Sequence, residues 1–251
     1  MKISVLASGS RGNAILLKSD DHSLLIDLGI SVRKLKIRLQ ALQEELSGLE
    51  GIFISHEHSD HIVGLESFCR QIPAPVFATE GTWERLAGLK LESRESFRCG
   101  EKIKLKNFQV QAFRVPHDAS EPVGFLIEAE EKRVAMVTDL GSVNGLIRER
   151  LKGADLVILE SNHDPKMLLT GRYPWPLKQR ILGRDGHLSN QDCASLLTEI
   201  QSYGLSWAVL AHLSDENNTP ELAFQTSREV LEDRIDLFLT SQNRAGPKLE
   251  I

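Results

Sequence analysis

Gly51-Ile52-Phe53-Ile54-Ser55-His56-Glu57-His58-Ser59-Asp60-His61-Ile62-Val63-Gly64-Leu65-Glu66-Ser67-Phe68-Cys69 runs from an apolar stretch, through six polar residues, into a second apolar stretch. The continuous run Gly51 to Ser55 reads as a buried strand, and Ile62, Leu65, Phe68 and Cys69 recur at helical intervals. His56 to His61 is therefore a strand-to-helix turn, and it holds three of the chain's eight histidines. Imidazole and carboxylate suit Zn, Mn or Fe, and desolvating this much polarity without a cation would be costly. While the chain is extended, His56 and His58 project to one side; as it coils, Asp60 and His61 turn elsewhere. Two pairs aimed in two directions can serve two adjacent cations, which together clamp the attacking and leaving oxygens of a phosphoryl displacement. The plain alternative is a solvated polar loop, which needs neither the spacing nor the flanking strand.

A two-metal site needs ligands from distant sequence, and three more strand-like runs deliver one each at the carboxyl end. Phe108 to Val115 leads to His117, Arg133 to Thr138 leads to Asp139, and Trp207 to Ala211 leads to His212. A lone His or Asp after a strand is ordinarily a cap or turn residue. Jointly with the His-rich turn, that explanation weakens.

The combined pattern resembles the metallo-β-lactamase fold superfamily, whose signature is an HxHxDH turn followed by a His, a bridging Asp and a last His. By that resemblance His56, His58 and His117 would hold one metal, and Asp60, His61 and His212 the other. Asp139 would bridge them, and Asp60 would also belong to the catalytic set. The β-lactamase branch commonly has Cys near the bridging position, whereas Asp139 is similar to the phosphodiesterase and thioesterase branches. The implied cofactors are two divalent ions, Zn or Mn.

Ser8-Gly9-Ser10-Arg11-Gly12-Asn13, Leu159 to Asp164, Gly186 to Asn190 and His212 to Asn218 further resemble the bacterial YycJ/WalJ/VicX group, over nearly the whole chain. That resemblance implies a 5′-to-3′ exonuclease acting on duplex DNA, with Ser8, Ser10, Arg11, Asn13, His163, Ser189 and Asn217 as candidate substrate contacts. By themselves, residues 8 to 13 are a small-residue turn whose N–H groups can approach an anion, but an ordinary hairpin turn explains them as well.

Glu160 ends an apolar strand, and His187 precedes a helix expected from about Asn190 to Tyr203. A His oriented by a buried carboxylate is poised to protonate a leaving oxygen. The pair resembles the Glu-His pair of tRNA 3′-processing nucleases, so Glu160 and His187 join the catalytic candidates; a structural hydrogen bond and a helix-entry residue are the rival readings. His163 and Asp164 either line the site or mark a helix start at Pro165. Between these motifs, Lys166 to Asp185 is expected to be a loop. It interleaves Arg172, Tyr173, Trp175, Lys178, Arg180 and Arg184, which suits phosphates and stacked bases, or simply packs the loop down.

The 251 residues fit one domain, 1–251, with no linker-like segment. The strand and helix order predicts an α/β fold, a four-layer αββα sandwich with mixed sheets. Helices are expected at about 31–46, 61–71 and 80–88, and Arg244 to Ile251 as a short strand or tail. A net charge of −5 excludes a general nucleic-acid coat, so any nucleic acid must be held locally. The basic runs Arg33-Lys34-Lys36-Arg38 and Arg148-Arg150-Lys152 read as solvated helix faces, and His22 as an exposed turn residue. Three cysteines, widely spaced, give no disulfide framework and point to a reducing, cytoplasmic compartment. No stretch resembles a signal peptide or membrane span. The leading functional reading is DNA hydrolysis. RNA or a small cyclic phosphodiester as substrate, or a non-catalytic, metal-stabilised regulatory module, are the alternatives.

Overall fold

The computed structural model describes residues 1–251, which divide into two compact units. One comprises Met1–Arg114, Ala119–Lys132 and Ser241–Ile251; the other comprises Val115–Asp118 and Arg133–Thr240. No helix is long and apolar enough to cross a membrane.

In the first unit, β1 (Lys2–Ala7), β2 (Ala14–Ser19) and β3 (His22–Ile26) form an antiparallel meander. β3, β4 (Leu49–Phe53), β5 (Val76–Thr79) and β6 (Arg94–Phe97) then run parallel. Parallel neighbours need a crossover. Here these are α1 (Val32–Leu42), the short pair α2 (Ser59–Ile62) and α3 (Leu65–Cys69), and α4 (Glu80–Arg85). Apolar side chains from these helices and strands, among them Leu35, Leu65, Phe68, Leu25 and Ile52, make one buried cluster. Phe53 stacks on Phe77 at 4.4 Å between ring centroids and meets Phe125 edge-on. β7 (Lys102–Lys104), β8 (Gln109–Arg114) and β9 (Val123–Ala129) add an antiparallel ribbon to this unit.

The second unit is a parallel sheet of β10 (Lys132–Val137), β11 (Leu156–Glu160), β12 (Trp207–Ala211) and β13 (Asp236–Leu239). α5 (Gly145–Leu151), α6 (Pro165–Thr170), α7 (Trp175–Leu182), α8 (Asn190–Ile200) and α9 (Pro220–Arg228) lie along the crossovers. β11 is buried along its whole length, as expected of a strand covered on both faces. Its register sets Leu159 beside Val137 and Leu210, so the residues just past three strands leave the sheet at one level. β14 (Lys248–Glu250) returns to the first unit and pairs antiparallel with β1.

Several elements depart from the sequence reading. The helix expected over 61–71 is broken into α2 and α3 at Gly64, whose N–H donates to the Leu28 carbonyl at 2.9 Å. A Cβ there would lie 1.9 Å from the Ile30 oxygen, so the chain can approach this closely only at glycine. The helix expected over 31–46 ends earlier, at Gln43, which takes a left-handed conformation. The supposed loop 166–185 contains α6 and α7. Arg38 is not on a solvated face: it is 6% exposed and donates from Nη2 to the Gln242 carbonyl at 3.0 Å. His22 opens β3 and is only partly exposed. Cys69 and Cys193 are buried as small hydrophobes, and desolvation pushes their thiols up to about 11 and about 12.

Candidate active site

In the first unit the parallel pairing of β3 and β4 brings their carboxyl ends side by side, and Asp27 N–H donates to the Phe53 carbonyl at 2.8 Å. Asp27 follows β3 in a left-handed conformation, φ 57°. Its carboxylate accepts from the Ser55 N–H at 2.8 Å, from the Ser55 hydroxyl at 2.9 and 3.0 Å, and faces His61 Nδ1 at 2.8 Å. A ring nitrogen facing a carboxylate carries the proton, so His61 is fixed with Nε2 as its free-electron-pair nitrogen. That nitrogen lies 3.5 Å from Asp60 Oδ2 and 3.0 Å from Asn13 Nδ2. His56 Nε2 and His58 Nδ1 converge to 3.1 Å. Asn13 closes the β1–β2 turn: its Oδ1 accepts from the Gly9 N–H at 2.8 Å, and its own N–H donates to the Asp60 carbonyl at 2.7 Å. Of the other turn residues, Ser8 is buried, while Ser10 and Arg11 are exposed.

In the second unit the organiser is Glu160, fully buried at the end of β11. Its Oε1 accepts from Nδ1 of His187 at 2.8 Å and from Nδ1 of His212 at 2.7 Å. Its Oε2 accepts from the backbone N–H groups of Leu140 at 2.7 Å and Leu188 at 3.1 Å. Burial alone would raise this carboxyl, yet the His187 charge and hydrogen bond, with His212, hold it down at about 2. Burial likewise opposes charge on His187, but the Glu160 carboxylate outweighs it and raises that imidazole above its ordinary value. His117 goes the other way: burial lowers it, which favours the neutral imidazole.

Asp139 Oδ1 lies among three imidazoles, 3.5 Å from His212 Nδ1, 3.7 Å from His117 Nε2 and 3.9 Å from His187 Nδ1. Asp139 and His212 both adopt left-handed backbone, φ 53° and 55°, a strained choice for residues other than glycine and one that clusters at functional sites. Ligand-competent atoms of Asp139, Glu160, His187 and His212 all fall within 4.8 Å of one another.

Two of the remaining candidates have identifiable local roles. Asp164 caps α6, its Oδ1 accepting from the Met167 N–H at 2.8 Å. Ser189 caps α8, accepting from Asp192 N–H at 3.1 Å and donating to its carboxylate at 2.6 Å. His163 and Asn217 are each 1% exposed, and neither ring nor amide makes a side-chain hydrogen bond. Sequence reading missed Asp27. The signal was present, since Asp27-Leu28-Gly29 repeats the Asp139-Leu140-Gly141 triad that also ends a strand.

The chain has well-matched relatives among known proteins. Residues 22–213 match the family described as "Beta-lactamase superfamily domain". The chain is 37% identical to exodeoxyribonuclease YycJ of Bacillus anthracis, covering 93% of this chain and 90% of that one. It is 35% identical to exodeoxyribonuclease WalJ of Streptococcus pneumoniae, covering 100% and 98%. Among solved structures, the metallo-β-lactamase fold protein YhfI from Bacillus subtilis superposes with a TM-score of 0.75 at 18% identity, over 99% of each chain. The α/β class and mixed sheets expected from the sequence are those of this fold, and the chain belongs to the β-lactamase superfamily, within its YycJ/WalJ group.

Proposed function

We propose that this protein is a dinuclear metal-dependent phosphodiesterase that degrades DNA as an exonuclease, on duplex DNA in the 5′-to-3′ direction. The observation that carries the reading is Glu160, a single buried carboxylate that orients both His187 and His212 beside Asp139. The exodeoxyribonuclease relatives, alike over nearly the whole chain, support the same reaction.

The donor set fits divalent cations. The first unit offers the converging nitrogens of His56 and His58, and the second offers the His117 imidazole and a carboxylate at Asp139 among histidines. On the ligand order implied by the family, His56, His58 and His117 would hold one cation and Asp60, His61 and His212 the other, with Asp139 shared. Two divalent ions, Zn or Mn, would supply hydroxide near neutral pH and absorb phosphoryl charge.

The chain's own residues do the rest. Asp27 holds His61, and Glu160 holds His212, each through Nδ1, which leaves both Nε2 atoms as ligand atoms. His187 has its Nδ1 on the same Glu160 oxygen, and its raised basicity keeps a proton available at Nε2 for the leaving oxygen. The free cysteines fit a reducing, cytoplasmic setting.

The test is to load the protein with Zn or Mn and present end-labelled duplex and single-stranded DNA, RNA and a small phosphodiester, with Asp139→Asn as control. Stepwise shortening of duplex DNA from the 5′ end by wild type alone is the expected result. Cleavage of RNA or the small diester only, or equal DNA cleavage by the control, overturns it. Metal analysis of the purified protein tests the cofactor: two equivalents are expected, and no binding under any supplementation refutes the ligand set.

A further inference from the structure

The segment joining the two halves of the second unit's site carries a charge opposite to that of the whole chain. Between Pro165 and Arg184 there are five basic residues and no acidic one, in a protein of net charge −5. Two of the five are structural. Lys178 is buried and donates from Nζ to the carbonyls of Leu169 at 2.7 Å and Gly171 at 2.8 Å, pinning α7 to the end of α6. Arg180 pairs with Asp118 at 2.5 Å. The other three, Lys166, Arg172 and Arg184, are exposed and pair with no carboxylate. In the same segment Trp175, the first residue of α7, is 57% exposed. An exposed indole offers a face on which a base can stack, and cations without counter-charges favour an anionic cover.

The segment is fixed to the site at its carboxyl end. It begins after His163 and ends before His187. The His187 N–H donates to the Ile181 carbonyl at 3.0 Å, Ser142 Oγ donates to the Arg184 carbonyl at 2.9 Å, and His117 Nδ1 lies 3.2 Å from the Gly186 oxygen. A polymer lying on α6–α7 is thereby held in a fixed relation to His117 and His187.

Building on the nuclease reading, we infer that α6–α7 is the docking surface for the substrate strand: a base stacks on Trp175, and Lys166, Arg172 and Arg184 neutralise its phosphates. Stacking needs an open base face, which paired bases inside a duplex lack, so the occupant is unpaired nucleic acid, such as a freed strand end. An acidic protein would match the cations but gives no reason for the indole.

The test uses three variants on the metal-loaded full chain: Trp175→Ala, Trp175→Phe, and the double Arg172→Gln/Arg184→Gln. All the changed side chains are exposed, so the fold is retained. Trp175→Ala is expected to raise KM for DNA about 5- to 100-fold, and Trp175→Phe to restore most of it. The double variant should lower the log–log salt slope of binding by about 1.4, or ~0.7 per phosphate contact on a single strand. Turnover of a small phosphodiester should be unchanged in all three.

Binding is read independently by tryptophan fluorescence on metal-free protein: an oligonucleotide should quench wild type, and quench Trp175→Phe much less. If wild type cleaves DNA and the variants match it in KM and salt slope, the docking surface is wrong. Loss of anionic-vesicle binding with DNA kinetics intact also overturns it, in favour of a membrane surface. If wild type binds and quenches but cleaves no DNA, the docking surface stands and the nuclease reading fails.

Discussion

Asp27-Leu28-Gly29 and Asp139-Leu140-Gly141 are the same three residues placed after a strand, one in each unit, and they do different things. In both, the Asp is left-handed, the Leu is fully buried and the Gly is pressed against main chain. Asp27 meets donors from one neighbouring segment: a backbone N–H, a hydroxyl and His61 Nδ1, at 2.8 to 3.0 Å. Its carboxylate is an orienter. Asp139 Oδ1 instead lies 3.5 to 3.9 Å from three imidazoles, those of His212, His117 and His187, longer than direct hydrogen bonds. The leucines differ too. Leu28 N–H ties down the His61 carbonyl, whereas Leu140 N–H ties down the Glu160 carboxylate. A local motif thus fixes where a carboxylate emerges, and the groups that tertiary structure sets around it decide its role.

Replacing each Asp by Asn should separate the roles most sharply. Asp139→Asn should lower DNA cleavage by about 10²–10³-fold or more, the scale of losing one group that stabilises transition-state charge, and should lower bound metal. Asp27→Asn should cost about 10- to 100-fold, as removal of a ligand's supporting partner does. Rate and metal content together check this, and equal losses on both readouts would break the comparison. His187→Ala comes next, with about a 10²-fold fall in kcat and metal content unchanged. The sign of its pH dependence follows from the raised imidazole: the acid form is present below that raised value and lost as pH rises through it. The alkaline limb of the wild-type kcat profile should therefore disappear in the variant. A limb that persists would assign the proton to another group.

This division of labour was only half legible in the sequence. The His56–His61 turn announced itself by density, and Asp139 and His212 by following apolar runs, because the carboxyl ends of parallel strands emerge on one side of a sheet. Asp27 did not, since a single Asp after a short strand reads as a turn residue. Glu160 was linked to His187 by motif, but its second partner, His212, depends on the register that sets Glu160 beside Ala211. No one-dimensional spacing encodes that register. Local period also overreached. It carried one helix across Gly64, where a backbone approach to Ile30 forbids a side chain and breaks it, and it put Arg38 in water when its guanidinium is needed by the Gln242 carbonyl.

The anchoring by Leu140 makes a thermodynamic claim about the second turn. Glu160 has a carboxyl depressed from 4.5 to about 2, so it contributes stability that is complete above 4.5 and lost as pH falls toward 2. In Glu160→Gln that contribution is absent. The melting temperature of the metal-free variant should thus be lower than wild type at neutral pH, with the gap closing between pH 4.5 and 2. A gap independent of pH would mean that Glu160 acts by shape and not by charge.

The two glycines give the smallest effects and the finest discrimination. A Cβ on Gly29 would lie 1.5 Å from the Asp60 oxygen, and one on Gly141 would lie 2.4 Å from the Arg184 oxygen and the Gly186 nitrogen. All of these are main-chain atoms, so relief requires moving a segment. Overpacking of this kind costs about 1–3 kcal/mol, and each kcal/mol lowers the melting temperature of a chain this size by about 2–4 °C. Gly29→Ala should lose more than Gly141→Ala, because its contact is shorter. The functional consequences should differ in kind. Gly29→Ala displaces Asp60 beside His61 and should lower metal content first, whereas Gly141→Ala displaces the chain just ahead of His187 and should lower kcat with metal retained. Melting curves and metal analysis on both proteins read this directly, and loss of metal from Gly141→Ala with retention by Gly29→Ala would reverse the roles assigned to the two turns.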